Sequence, residues 1–337
     1  MFMDPIIEDV GSFPLPSNVS RQTFNQAYRE ARKAAVKGED LTKNDFLQRN
    51  FCNVVLDSFR KKIESGLDVA NFPQQYDGMS QVGDVLHVAM ENRSFLVEEK
   101  KAVLPEVYLI HQQAKVLSEE FGKKIALRVC VFGPMEFYLR EVGYTPHQEA
   151  LDELAETIRR FVKNCLFNDK YIETKVVSID EPSFGYNNIE ASPDVICDVL
   201  EKAFEFNGAT REIHLHSTAG FSDLLSVRNL DVLSFEYAGS PENIDLVPKS
   251  LLERGDKQIR VGIARTDVDN LTGGKKPASP LEVVESVDTI KKRYMFAKEK
   301  YGERMTFTGP DCGLAGFPNQ DAAALLLKRT VEAVKTA

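Results

Sequence analysis

His214 and His216 are two of the five histidines in the chain and stand two residues apart in Glu212-Ile213-His214-Leu215-His216-Ser217-Thr218. Ile213 and Leu215 alternate with them, the pattern of a strand with aliphatic side chains on one face and both imidazoles on the other. A histidine pair alone is more often a packed core pair than a metal site. Two further residues change the balance. Glu236 closes the apolar run Val232-Leu233-Ser234-Phe235, and Cys312 lies in Gly309-Pro310-Asp311-Cys312-Gly313-Leu314. Imidazole nitrogen, carboxylate oxygen and thiolate sulfur form a donor set suited to Zn2+. A cation of that kind strips the proton from a bound thiol and leaves a nucleophile near neutral pH, provided one coordination position stays exchangeable. Taken singly, Glu236 reads as a solvated strand-end carboxylate, Asp180-Glu181-Pro182 as a turn and Cys312 as a packed thiol. They acquire meaning together only if a fold brings them to one place.

The pattern of elements supplies that fold. Strands are predicted at Ile6 to Val10, Leu67 to Asn71, Ile125 to Phe132, Lys175 to Ile179, the histidine stretch, Val232 to Phe235, Ile259 to Ile263 and Met305 to Thr308. Between the first two, Arg21 to Lys37 is helical. Leu47, Phe51, Val55, Phe59 and Ile63 then recur every four residues, the buried stripe of a second helix. Helical signals run from Gln81 to Gly122 with a break near Pro105, from His147 to Asn168, and from Ser192-Pro193 to Gly208. Ser279-Pro280-Leu281-Glu282 reads as a capping box opening a helix to about Lys300, and a last helix starts near Asn319. Eight strands alternating with helices predict a parallel sheet closed as a (β/α)8 TIM barrel, an α/β fold of roughly 250 residues plus insertions. Residues 1–337 are read as a single barrel domain with extra N-terminal helices between the first two strands. In such a barrel the C-terminal strand ends form the active site, which gathers Gly11-Ser12, Gln74-Gln75, Asp180-Glu181, His216, Glu236, Asp267 and Cys312 at one rim.

Composition narrows the function classes. A net charge of -9 excludes nucleic acid binding as the main purpose. No run approaches 18 apolar residues and Met1 to Pro16 lacks a signal pattern, so the expectation is a cytoplasmic protein with no membrane partner. Cys52, Cys130, Cys165, Cys197 and Cys312 include no C-x-x-C pair, which points to reduced thiols; the first four sit in apolar surroundings. His87, His111 and His147 receive no role.

The motifs resemble those of one family, the C-terminal catalytic barrel of cobalamin-independent methionine synthase, in its short single-barrel core form. Gly309-Pro310-Asp311-Cys312-Gly313-Leu314 is similar to its zinc-cysteine motif, Ile213-His214-Leu215-His216 to its zinc-histidine strand, and Asp231-Val232-Leu233-Ser234-Phe235-Glu236 to the strand ending in its zinc-binding glutamate. Asp180-Glu181-Pro182 and Val10-Gly11-Ser12-Phe13-Pro14 resemble its substrate-holding segments. The resemblance implies zinc-dependent transfer of a methyl group to homocysteine, with His216, Glu236 and Cys312 on the metal. Asp180, Gly11 and Ser12 would hold the amino acid end of the substrate. Short relatives of this kind take the methyl group from methylcobalamin or a methylated corrinoid protein, and that donor is expected here.

The chain departs from the family pattern twice. Thr218 stands where the family has a fourth ligand, a cysteine, so the expectation is either a three-ligand site or recruitment of His214. Gln74 and Gln75 stand where the family has a glutamate that holds the substrate amine. That loss admits a second reading, an alkyltransferase acting on another thiol such as coenzyme M, in which Arg265 meets the sulfonate. A third reading is a zinc-free binding partner of a corrinoid protein.

Overall fold

The computed structural model describes residues 4–275 and 279–337. Its strands are β1 (Ile6–Ile7), β2 (Ala70–Asn71), β3 (Ile125–Phe132), β4 (Ile172–Asp180), β5 (Thr210–Leu215), β6 (Val232–Glu236), β7 (Gln258–Ala264) and β8 (Met305–Pro310). All seven neighbouring pairs are parallel, in the order β1-β8-β7-β6-β5-β4-β3-β2. The two ends of that order meet. Glu8 and Val69 form a parallel bridge, and the N–H groups of Asp68 and Val69 both donate to Ile7 O, at 2.9 and 3.2 Å. The ring of eight closes there, as the alternating pattern predicts.

Both strands at this seam are shorter than the apolar runs that announced them. β1 and β2 part after the bridge, and a side chain from outside fills the gap. The helices between them are α1 (Arg21–Val36) and α2 (Asn53–Glu64). A short π turn over Gln48–Cys52 precedes α2, so the every-four stripe is broken backbone at one point yet buries Leu47, Phe51, Val55, Phe59 and Ile63 as expected. From α2 the fully buried Lys62 reaches in. Its ammonium lies 2.6 Å from Asp9 Oδ2 and also donates to the carbonyls of Gly11 and Asn71.

Crossovers on the remaining strands run through α3 (Gly78–Met90), α4 (Pro105–Gln112), α5 (Ala114–Phe121), α6 (Pro134–Glu141), α7 (Gln148–Lys163), α8 (Pro193–Ala203), α9 (Lys249–Gly255) and α10 (Val287–Tyr301), with α11 (Gln320–Lys335) last. The capping box at Ser279 opens only a 3-10 turn, Pro280–Val283. The long helix behind it takes its cap from Ser286, whose Oγ accepts from Thr289 N. None of the described helices is long and apolar enough to cross a membrane.

The barrel interior is layered. Val69, Val176, Val232 and Phe307 form an apolar plug at the N-terminal end. One level up, Arg128 and Arg260 meet Glu8 and Glu212, all fully buried: Arg128 Nη2 donates to Glu212 Oε1 at 2.8 Å and Arg260 Nε to Glu8 Oε1 at 2.9 Å. Alternation along a strand then carries each inward face upward, from Val176 through Ser178 to Asp180, from Glu212 to His214, and from Val232 through Ser234 to Glu236. The charged layer is therefore the floor of the rim.

Candidate metal centre and adjoining cavity

β5, β6 and the turn after β8 deliver the donors. His216 Nε2 lies 3.6 Å from Cys312 Sγ and 3.5 Å from Glu236 Oε1. Including His214, one ligand atom from each of the four residues lies within 4.8 Å of the others. Two ligands bound to one tetrahedral zinc at its usual bond lengths stand about 3.5 Å apart. The spacing of His216, Glu236 and Cys312 thus fits a shared cation without rearrangement.

Electrostatics point the same way. Burial, then Glu236, pushes the Cys312 thiol up to about 12. Burial, then Asp267, pushes Glu236 up to about 7. Burial lowers both histidines, His214 more strongly than His216. Neutral imidazole is the metal-binding form, and a divalent cation would supply the charge that stabilises thiolate and carboxylate here. The donor set fits zinc.

The turn carrying Cys312 is built against β6. Asp311 is buried, and its carboxylate accepts from the N–H groups of Tyr237, Ala238 and Gly239 at 3.1, 3.0 and 2.6 Å. Room for it comes from Gly262, where a β-carbon would stand 2.3 Å from Asp311 Oδ1. Asn243 braces the other side, donating through Nδ2 to Glu236 O at 2.8 Å and to His216 O at 3.4 Å.

Beside the donors is a cavity of about 140 Å³ lined by Ser12, Gln74, Phe132, Asp180, His216 and Cys312 among others. Burial pushes the Asp180 carboxyl up to about 6, and Ser178 Oγ donates to it at 2.6 Å. Ser12 is tied to the cysteine turn, its carbonyl accepting from Leu314 N at 2.6 Å. Gly11 packs so closely that a β-carbon there would meet Gln74 Oε1 at 2.6 Å. Gln74 itself is left-handed at φ 45°, a conformation that strains a glutamine and tends to mark working residues. A second cavity of about 370 Å³ shares Ser12, Gln74 and Phe132 with the first and extends over the opened β1–β2 seam to Arg21 and Tyr76.

Most residues singled out from sequence meet at this rim, with four exceptions. Glu181 turns away from it to the start of α6, its buried carboxylate accepting from Met135 N and Glu136 N at 2.9 and 2.7 Å. Gln75 borders only the outer cavity; its amide donates to Pro14 O and Ser58 Oγ at 3.0 and 2.9 Å and so serves the scaffold. Arg265 is held by Asp267 through two hydrogen bonds of 2.8 and 2.6 Å. Thr218 turns its hydroxyl to Asn243 Oδ1, at 3.3 Å. Sequence reasoning passed over Asp311, Asn243 and Ser234, and also Glu136, whose charge reaches His216 from the start of α6. Ser234 carried a signal: it shares the strand parity of Glu236.

No family model matches the chain. A methionine synthase of Sulfolobus acidocaldarius is 22% identical over 338 residues, spanning 94% of this chain and 88% of that one. A methionine synthase of Methanothermobacter marburgensis is 33% identical over a shorter stretch of 104 residues, 31% of this chain and 28% of that one. Among solved structures, a B12-independent methionine synthase from Shewanella sp. W3-18-1, in complex with selenomethionine, superimposes with a TM-score of 0.61 at 13% identity. That match covers 99% of this chain and 98% of the other.

The chain is thus similar in sequence to a methionine synthase over 94% of its length and shares the barrel fold of a B12-independent one. Within that barrel the rim described above occupies the C-terminal strand ends, where this architecture places its chemistry. A larger cavity, about 680 Å³, lies instead on the outer face beside α2 and α11 and is lined by Lys61, Asp321 and Lys328 among others. It contains none of the donors.

Proposed function

We propose that this protein is a zinc-dependent methyltransferase that moves a methyl group onto the sulfur of homocysteine, forming methionine, with a methylcorrinoid or methylated corrinoid protein as donor. One observation carries the reading: His216, Glu236 and Cys312 stand at shared-cation spacing, and His216 and Cys312 line a cavity of about 140 Å³ that Asp180 and Ser12 also line. The methionine synthases it resembles support homocysteine as the acceptor.

His216, Glu236 and Cys312 would hold the metal, which when bound lowers the pKa of a substrate thiol and keeps its sulfur anionic. The protein's own groups do the rest. Asp180 faces the cavity as a buried carboxylate that an amino acid ammonium would neutralise, and an ammonium beside it would draw its raised pKa back down. Ser12 borders the same cavity, and with the adjoining backbone of Gly11 it is assigned to the substrate carboxylate. With the sulfur held at the donor cluster and the amino acid end at Asp180, the thiolate attacks the methyl carbon in line. A carbon–sulfur bond forms, the methyl–donor bond breaks, and its electron pair leaves with the donor; the thiol proton goes to solvent.

The coenzyme M reading needs a free cation for a sulfonate. Arg265, the residue it would use, is committed to Asp267. The zinc-free reading is decided by metal content. The test is zinc analysis of the wild type beside Cys312→Ser, with homocysteine titrated into each. About one zinc per chain that is lost in the variant, with proton release on thiol binding, is the expected result. No zinc in either protein overturns the reading. For the donor, methylcobalamin is compared with methyltetrahydrofolate, and turnover with the folate alone would sink the corrinoid assignment.

A further inference from the structure

We infer that His214 is the fourth metal ligand of this chain, so that its centre carries one thiolate and two imidazoles. The inference rests on the assignment of His216, Glu236 and Cys312 as the other ligands.

The first observation is an unpaired atom. His214 is 2% exposed, and its Nε2 is buried with no hydrogen-bond partner. A ring nitrogen left in that state is destabilising unless something binds it. The second is the other end of the ring. His214 Nδ1 lies 3.2 Å from Ser234 Oγ, and Arg260 Nη1 approaches the same oxygen at 3.4 Å. With Arg260 donating to one lone pair, Ser234 has a second that can accept Nδ1–H, and in that tautomer Nε2 keeps a free lone pair for a metal. An imidazole anchored through one nitrogen and free at the other is how a metal-binding histidine is presented.

Position completes the case. His214 shares the inward face of β5 with His216, their ring centroids 5.5 Å apart at 75°, and its ligand atom falls within the 4.8 Å cluster. Thr218 is meanwhile engaged elsewhere. It is 6% exposed and bonded to Asn243, the residue that also ties the backbones of His216 and Glu236. The threonine is thus part of the brace, and the vacancy in the donor set is met from two residues before His216. The consequence is electrostatic: one carboxylate and one thiolate balance a divalent cation, whereas a second thiolate would leave the centre negative. A thiol joining that centre as a fifth ligand would give up its proton more readily.

X-ray absorption at the zinc edge on the full chain tests this directly, since imidazole rings announce themselves by multiple scattering. The wild type should show one sulfur and two imidazoles, and His87, His111 and His147 are too remote in the fold to supply the second. His214→Ala should lose one imidazole and more than about 100-fold in zinc affinity by chelator competition, while Thr218→Ala should keep both within about threefold. Ser234→Ala, which leaves the ring and removes its anchor, should weaken zinc about 10- to 100-fold. Melting temperatures of the metal-free proteins separate lost ligation from lost folding, and if His214→Ala does not fold, the wild-type ring count decides. Zinc with a single imidazole overturns the His214 assignment alone. A wild type that takes up no zinc overturns this inference and the proposed function together.

Discussion

The carboxylate of Asp311 and the backbone N–H of Tyr237 are hydrogen-bonded at 3.1 Å, so the residue before Cys312 grips the residue after Glu236. Two candidate metal donors, from β6 and from the turn after β8, are held by one side chain. In Asp311→Asn one oxygen becomes an N–H2 facing backbone donors. We expect a stability loss of about 2 kcal/mol in chemical denaturation and a 10- to 100-fold loss of zinc affinity by chelator competition. Unchanged affinity would mean that the strands alone set the donor spacing.

Glu106 supplies a pH dependence away from the candidate metal centre. It is fully buried, accepting from Gln75 N at 2.9 Å and Gln81 Nε2 at 3.0 Å, yet burial pushes its carboxyl from 4.5 up to about 7. A pKa raised on folding means that the native state holds more protons than the unfolded chain between those values. Its contribution is therefore full at low pH and falls as pH rises from about 4.5 to about 7, by about 3 kcal/mol in all. Denaturation of Glu106→Gln across this window should show a slope flatter by that amount; an identical slope would refute the assignment.

Lys62 and Asp9 form an ion pair from which water is excluded, with side-chain exposures of 0% and 2%. Lys62→Met strands the Asp9 carboxylate and should cost about 3–5 kcal/mol. Adding Asp9→Asn should restore much of it, because the uncompensated charge is then gone. A double variant no more stable than Lys62→Met would show that the ammonium's contacts with the Gly11 and Asn71 carbonyls dominate.

On the proposed function, Gln74 is the position at which substrates should be separable. Gln74→Glu puts a second carboxylate on the cavity wall near Asp180, and the KM for homocysteine should fall about tenfold, with little gain for a thiol that has no amine. Equal effects on both thiols would place the substrate amine elsewhere.

The barrel and its rim were readable because the relevant signals are local and periodic. Apolar runs mark β3 to β8, and chemical groups end them: Asp180, His216 and Glu236 are all found at the rim. Less legible were features whose cause lies far away in the chain. Glu8, Arg128, Glu212 and Arg260 look like surface charges in a sequence, yet they satisfy one another inside the barrel across long chain separations. β1 and β2 read as full strands because Val10 and Leu67 are apolar, but the seam opens where Lys62 intrudes. Gln75 and Thr218 were chosen by position in a motif. Their side chains answer instead to Ser58, Pro14 and Asn243, neighbours that only the folded chain brings close.

The pairing of Ile6 with Phe307 also bears on the order in which the chain can be completed during synthesis. The first strand to emerge has its partner in the last, and until β8 arrives the growing sheet keeps an open edge able to pair with other chains. Arg260 reaches Pro310 O at 2.8 Å, so part of the interior charge layer stays unsatisfied for the same interval. Cys312 follows directly behind β8. Sealing of the ring and delivery of the only candidate thiolate ligand among the described residues are thus one late event, and a nascent chain stalled before it would expose a sheet edge while still lacking its sulfur donor.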